Sequence, residues 1–225
     1  VHLGLLMGRD RLARILEKVK AANPDMLVST GDLVDGQADS LNGLDGLFRE
    51  IQPRYGKYAV TGNHEFYVGL DHSLDFTRRA GFRVLRGEAV KVAEGLVVAG
   101  IDDPAGAGHR QGRTDGEKAL LSRVPTGNFV LFLKHRPTVV PESVGFFDLQ
   151  LSGHVHGGQI FPFGLITRLF YPLLSGYFSL GRGSSLYVSR GSGTWGPPIR
   201  FLAPPEVTIV TIIHDTGGPA EGATR

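Results

Sequence analysis

The chain contains no cysteine. That one absence removes disulfide bridges, thiolate metal ligands and a cysteine nucleophile together, and leaves His, Asp, Asn and Glu as the strong ligands. Long hydrophobic runs are missing as well. No stretch approaches the ~20 consecutive apolar residues of a membrane-crossing helix, and the opening VHLGLLMGRD is too short and too poorly flanked for a signal peptide. Nor is charge of one sign in excess: 24 Lys and Arg stand against 22 Asp and Glu, a formal net charge of +2. The basic stretches Arg9 to Lys20 and Arg78 to Arg86 read as solvated helix faces and their flanks, so no dedicated nucleic-acid binding is expected. There is no internal repeat and no low-complexity linker. What is present is 225 residues with 41% hydrophobic content, enough to bury the core of one α/β domain.

Residues 10–22 place Leu12, Ile15, Leu16 and Val19 on one helical face, with Pro24 beyond its end. MLVST at 26–30 reads as a buried strand opening at Gly31 into a loop that holds Asp32 and Asp35. The rhythm repeats with a helix near 40–51, a strand at 57–61 running into a loop at Gly62–Glu65, and a helix near 70–80. Short β-like pieces fill 83–101, and a helix follows near 115–122. Strands at 128–133 and 147–152 run into His135 and His154, and strands at 185–189 and 206–213 close the pattern. This order predicts two mixed sheets packed face to face with helices outside, as one domain over 1–213. The Gly- and Pro-containing tail 214–225 reads as disordered.

Asp32, Asn63, His64, His135, His154 and His156 all follow apolar strands and have glycines nearby, the setting in which rigid oxygen and imidazole donors converge on a divalent cation. Each position alone has a plainer reading. Asp32 and Asp35 could cap a turn, and His135 could be structural. GHVH is stronger by itself, because alternation along a strand end points both imidazoles to the same side. His72, His109 and His214 lie outside any such stretch. Asp102 and Asp103 read as turn residues, and Lys134 and Arg136 as pointing away from His135.

The set GDLVD, GNHE, KHRP and GHVHGGQ resembles the calcineurin-like metallophosphoesterase superfamily, whose motif order it follows to about residue 160. The resemblance implies the superfamily's four-layer α/β sandwich and a dinuclear centre of Mn, Fe, Zn or similar ions. One metal would be held by His2, Asp32 and His156, the other by Asp32, Asn63, His135 and His154, with Asp32 bridging. It further implies in-line attack by a metal-bridging hydroxide, His64 as general acid and Asp35 orienting His64. The superfamily's first motif is Asp-x-His; His2 matches its His, and the Asp would stand just before Val1. The expectation is therefore that the N-terminal core strand is truncated, which would weaken one metal site.

The stretches after residue 150, including YVSRGSGTWGPPIRFLAPPEVTIV, look similar to a bacterial branch of membrane-associated phosphodiesterases, and Gly36 stands where Ser/Thr protein phosphatases carry Arg. Hydrolysis of a phosphodiester or pyrophosphate is expected, on a lipid-linked or nucleotide-sugar substrate. The segment IFPFGLITRLFYPLLSGYF at 160–178 cannot be one regular helix. It is either an exposed apolar patch suited to a lipid or membrane surface, with Arg168 at the headgroups, or a loop folded into the core. The rival readings are a non-catalytic scaffold of the same fold that binds protein, and a nuclease. Compartment stays open: membrane-associated if an anchor precedes residue 1, otherwise cytoplasmic.

Overall fold

The structure, a computed structural model, describes residues 1–36, 38–109 and 114–213. The tail 214–225 with His214, and the side chain of His109, lie outside the described residues.

Helix α1 (Arg9–Ala22) buries Leu12, Leu16 and Val19 and stops at Asn23, whose left-handed backbone returns its N–H to the Lys20 carbonyl. Strand β1 (Leu27–Ser29) follows. The helix expected over 40–51 is a 3-10 turn (Ala38–Leu41) and a shorter α2 (Leu44–Arg49), separated at Gly43, where φ is +74°. Beyond β2 (Lys57–Ala59) come α3 (Asn63–Val68), α4 (Leu70–Arg79) and β3 (Arg83–Val84). The larger sheet is built from β4 (Glu88–Ala93), β5 (Leu96–Gly100), β6 (Phe129–Leu133), β7 (Leu149–Ser152), β8 (Gly176–Gly181) and β9 (Ser184–Val188). Helices α5 (Thr114–Leu121) and α6 (Phe163–Phe170) lie between its strands in sequence.

The two-sheet α/β architecture expected from the alternation is present. One sheet has the order β1-β2-β3, paired in parallel; the other has the order β4-β5-β6-β7-β9-β8, with parallel pairing at its centre and antiparallel β4 and β8 at its edges. Val60 and Leu85 pack with Val98, Leu131, Leu133, Leu149 and Leu151 between the sheets, joined by Met26 and Val28. Leu12, Leu16, Phe48 and Phe76 from α1, α2 and α4 cover the smaller sheet's outer face, and Leu121 of α5 packs with Val130 and Phe132 outside the larger one. Strands β6 and β7 are parallel neighbours, and the end of β1 meets theirs where the Thr30 carbonyl lies 2.7 Å from His135 Nδ1, so three C-terminal ends collect at one edge.

Three expectations fail locally. Asn63, His64 and Glu65 open helix α3 instead of lying in a loop, because the residue types that make a turn also start a helix. Residues 206–213 form no strand despite their β-favouring Val, Ile and Thr, since strand formation needs a hydrogen-bonded neighbour and none lies alongside among the described residues. His154 and His156 do not alternate along a strand: β7 ends at Ser152, and both residues have positive φ, +70° and +51°. The aromatic segment divides: Tyr171, Leu173, Leu174 and Phe178 pack with Val155, Leu186 and Val188, while the part before them is exposed. Its helix α6 has no buried residue, and Phe163, Leu165, Ile166, Leu169 and Phe170 all face solvent.

Candidate metal centre

At the end of β1 the chain turns through Gly31 and Asp32, both with positive φ. The turn is pressed against the start of α3: a Cβ on Gly31 would lie 2.5 Å from the Gly62 nitrogen, and one on Gly62 would overlap the Asp32 carboxylate. Glycine is required at both places because two backbones meet there. Glu65 holds them together. Its buried carboxylate accepts hydrogen bonds from the N–H groups of Asp32 (3.0 Å), Leu33 (2.7 Å), Val34 (3.1 Å) and Gly62 (2.7 Å). Burial and then the Asp32 charge push its pKa up, against these donors.

The six residues expected as ligands converge. Asp32 Oδ2 lies 3.0 Å from His135 Nε2 and 3.6 Å from His2 Nε2. His135 Nε2 is 3.2 Å from Asn63 Oδ1 and 3.2 Å from His154 Nδ1. On the other side, His2 Nε2 faces His156 Nε2 at 2.9 Å. Asp32 therefore joins two clusters, one with Asn63, His135 and His154, the other with His2 and His156. Candidate ligand atoms of Asp32, His135 and His154 lie within 4.8 Å of one another, as do those of His2, Asp32 and His64. His64 is thus close enough to be a ligand, although its Nδ1 is occupied by Asp35. Four of the six, His2, Asp32, His154 and His156, have positive φ, backbone strain of the kind that persists where surroundings over-determine it.

The donor chemistry fits two divalent cations. Burial lowers the pKa of His2 to about 4, of His154 to about 4 and of His156 to about 2, so these imidazoles are neutral at pH 7 and offer lone pairs. Asp32 stays ionised: burial opposes its charge, but His135 and His2 outweigh it. Nitrogen and oxygen donors without sulfur suit Mn, Fe or Zn. The residues form two His/Asp metal-binding clusters that share the Asp32 carboxylate, a set fit to hold a dinuclear divalent centre.

His64 donates its backbone N–H to Asp32 Oδ1 (2.9 Å), and its Nδ1 meets Asp35 Oδ1 at 2.5 Å. Burial lowers the pKa of this imidazole, yet the Asp35 hydrogen bond and the Asp32 charge reverse the sign and raise it. Asp35 is shared. Its other oxygen takes His2 Nδ1 at 3.2 Å, and the two imidazoles hold the carboxyl well below the usual range despite its burial.

Two residues that sequence reasoning left without a role complete the site. Glu65 was visible only as the last letter of GNHE. Arg200, 44 positions from its partner, carried no signal in the sequence. It donates to His156 Nδ1 (2.9 Å), the His156 carbonyl (2.8 Å) and the Arg190 carbonyl (2.9 Å), and to the Gly193 carbonyl. The charged residues flanking the centre pair with each other. Arg86 forks onto Asp102, Arg136 forks onto Asp103, and Lys134 reaches Glu117 at 2.8 Å. Asp103 also accepts the Ala105 N–H, the turn role expected of it.

The rim is apolar. Gln159 and Trp195 exchange two hydrogen bonds, and Phe161 and Phe201 are joined by another, which ties the start of the α6 segment to the loop 195–202. Trp195, Ile199, Phe201 and Leu202 are exposed there, and Tyr67 and Leu5 are exposed beside His64 and His2 in sequence. The rings of His64 and Trp195 are 6.2 Å apart.

Residues 5–158 match the family model described as calcineurin-like phosphoesterase. An uncharacterized metallophosphoesterase of Aquifex aeolicus is 48% identical over 215 residues, covering 94% of this chain and 82% of the relative. A Campylobacter jejuni metallophosphoesterase, also uncharacterized, is 34% identical, covering 94% of this chain and 57% of the relative. A Danio rerio transmembrane protein with metallophosphoesterase domain is 31% identical, covering 94% and 51%. The chain spans a little over half the length of these last two relatives.

Proposed function

We propose that this chain, which belongs to the calcineurin-like phosphoesterase family, hydrolyses phosphodiester or pyrophosphate bonds at its dinuclear centre with His64 as general acid. The observation that carries this reading is the placement of an Asp35-bound imidazole next to a carboxylate shared by two ligand clusters. Bound there, a pair of divalent cations supplies Lewis-acid stabilisation of the phosphoryl oxygens and a means of activating water at neutral pH.

The protein's own groups do the rest. Asp32 joins the two clusters, and Asn63, His135 and His154 complete one of them. His135 donates Nδ1–H to the Thr30 carbonyl at 2.7 Å, which fixes its tautomer and turns the Nε2 lone pair inward. On the other side His2 and His156 face each other, the ring of His2 against Asp35 and the backbone of His156 held by Arg200, which donates to its carbonyl. His64 donates Nδ1–H to Asp35, so a proton on Nε2 is free to pass to a departing alkoxide, and its raised pKa keeps that proton available near neutrality.

The apolar rim supports a finer reading, in which the substrate carries a lipid chain beside the phosphate and is met at a membrane surface, as in a membrane-associated bacterial phosphodiesterase branch. Exposed Phe163, Leu165, Leu169 and Phe170 offer the chain a surface within one helix of His156, with Arg168 on the same helix. A nucleotide-sugar carrying acyl groups combines both features. The test is hydrolysis of bis-p-nitrophenyl phosphate with added manganese by the chain and by His154→Ala and Asn63→Ala. Loss of turnover and of bound metal in both variants supports the reading; unchanged rates sink it. For the finer reading, a lipid-bearing phosphodiester should be preferred over its deacylated form, and equal rates on the two would remove the lipid from the proposal.

A further inference from the structure

Helix α3 carries its chemistry on one side. Asn63 opens the helix and His64 follows; Tyr67 stands three residues beyond His64 and four beyond Asn63, the spacings at which helical side chains are neighbours. A ligand, the proposed acid and an aromatic ring therefore stand together, with the rings of His64 and Tyr67 5.6 Å apart. A second ring reaches His64 from far along the chain, that of Trp195 at 6.2 Å. Both rings are steeply inclined to the imidazole, at 63° and 67°, so neither lies flat against it. Both also face solvent, Tyr67 being 67% and Trp195 56% exposed.

An exposed indole gains little from being held still, yet Trp195 is held. Its backbone N–H donates to Gln159 Oε1 at 2.9 Å, and its carbonyl accepts from Gln159 Nε2 at 2.6 Å. Gly196 is followed by Pro197 and Pro198, which leave the loop few conformations. Arg200, beyond the prolines, ties back to the Gly193 and Arg190 carbonyls. Rigid rings presented to solvent lose little freedom when a ligand lies on them.

In the hydrolytic reading the P–O bond to the leaving group breaks, the leaving oxygen takes the His64 proton, and whatever that oxygen carries departs beside His64. Tyr67 and Trp195 are what it meets there. The aliphatic side chains of α6, Leu165, Ile166 and Leu169, lie instead on the segment that continues from His156. We propose that Tyr67 and Trp195 form a leaving-group subsite, which selects phosphoesters whose leaving oxygen carries a flat ring. An aryl group and a nucleoside share that chemistry. This rests on the hydrolytic reading and divides the substrate in two, a ring at His64 and an acyl chain at α6. Stacking on an aromatic side chain strengthens binding about tenfold per ring, whereas a flexible chain must give up rotamers to lie along the same faces. The ring is held alike before and during P–O cleavage, so the gain falls on KM rather than kcat.

The experiment uses the manganese-loaded chain and its Tyr67→Ala, Tyr67→Phe and Trp195→Ala variants. The substrates are methyl phenyl phosphate, uridine 5′-methyl phosphate, hexyl methyl phosphate and dimethyl phosphate, each compared with itself across the variants so that intrinsic reactivity cancels. Either alanine variant should lower kcat/KM for the ring-bearing diesters about tenfold relative to dimethyl phosphate, chiefly through KM, and Tyr67→Phe should restore the preference. A shift with both rings identifies stacking as sufficient, and a shift with uridine alone identifies the nucleoside as the ring. An equal loss on all the diesters overturns the proposal, because the two rings then only support His64. So does a hexyl ester that loses as much as the ring-bearing pair, or a preference that does not move. Binding separates this result from the hydrolytic reading. By calorimetry on manganese-loaded His64→Ala, uridine 5′-monophosphate should bind about tenfold tighter than ribose 5-phosphate, and adding Tyr67→Ala should abolish the difference. Equal affinities overturn the subsite even where hydrolysis is confirmed. A ring preference in a chain that hydrolyses none of the diesters sinks the hydrolytic reading and leaves the ring-binding pair standing.

Discussion

The two halves of the metal centre are built by different means. Asn63 and His135 stand at the ends of regular elements, the first residue of α3 and two residues past β6, and His135 is aimed by a backbone carbonyl. His2 and His156 lie outside the paired sheets, one near the N-terminus and one in a 3-10 turn, and both are held by charged side chains, Asp35 at the His2 ring and Arg200 at the His156 backbone. The comparison teaches that a backbone-anchored half inherits the rigidity of the fold, whereas a half anchored by side chains is only as firm as the carboxylate and guanidinium behind it. Glu65 and Asp32 sit where the halves join.

The sharpest way to break the comparison is at the shared carboxylate. Asp32→Ala should lose both metal equivalents by elemental analysis and bring hydrolysis to background; retention of one full equivalent would mean that the halves are independent. Next comes His64, the proposed proton donor. His64→Ala should lower kcat about 10²–10⁴-fold on a phosphodiester with an alkyl leaving group. The loss should be much smaller with p-nitrophenolate, which departs without a proton, and metal content should be unchanged. A loss of metal in this variant would make His64 a ligand, the alternative that its distance from His2 and Asp32 leaves open.

Arg200→Met should weaken metal binding or activity about 10–100-fold, the usual cost of removing a group that orients a ligand. The defect should fall on one equivalent only, with the Asn63 half still loaded; equal loss from both would erase the distinction between the halves. The smallest effect is expected at Glu65→Gln, where one acceptor oxygen becomes a donor facing backbone N–H groups. Urea unfolding should show about 1–3 kcal/mol of destabilisation. If the two halves depend on that joint, both equivalents should weaken together and slightly.

Much of the centre was legible. Asp32, His135 and His154 follow apolar strands, with Gly31 before Asp32 and Gly153 before His154, and His156 stands two residues on in the same GHVH stretch; the two-sheet fold follows from the same alternation. Arg200 was not legible, because its value lies in meeting a residue 44 positions away across a loop rich in Gly and Pro. Glu65 was hidden for a related reason: it acts on backbone groups of another loop, and backbone groups leave no mark in sequence. Residues 206–213 were misread because β-propensity reports a residue's fitness for a strand and says nothing of whether a neighbour is there to pair with it.

The chain has one tryptophan, and it is the Trp195 that stands over His64 on the rim. Intrinsic fluorescence excited at the indole therefore reports a single location in the molecule. A protonated imidazole quenches a neighbouring indole, and a paramagnetic ion nearby does so as well, so emission should fall as manganese is titrated in and shift to the blue when an acyl chain covers the ring. Metal loading, the charge on His64 and engagement of an amphiphile can thus be followed by one optical signal, without label or turnover.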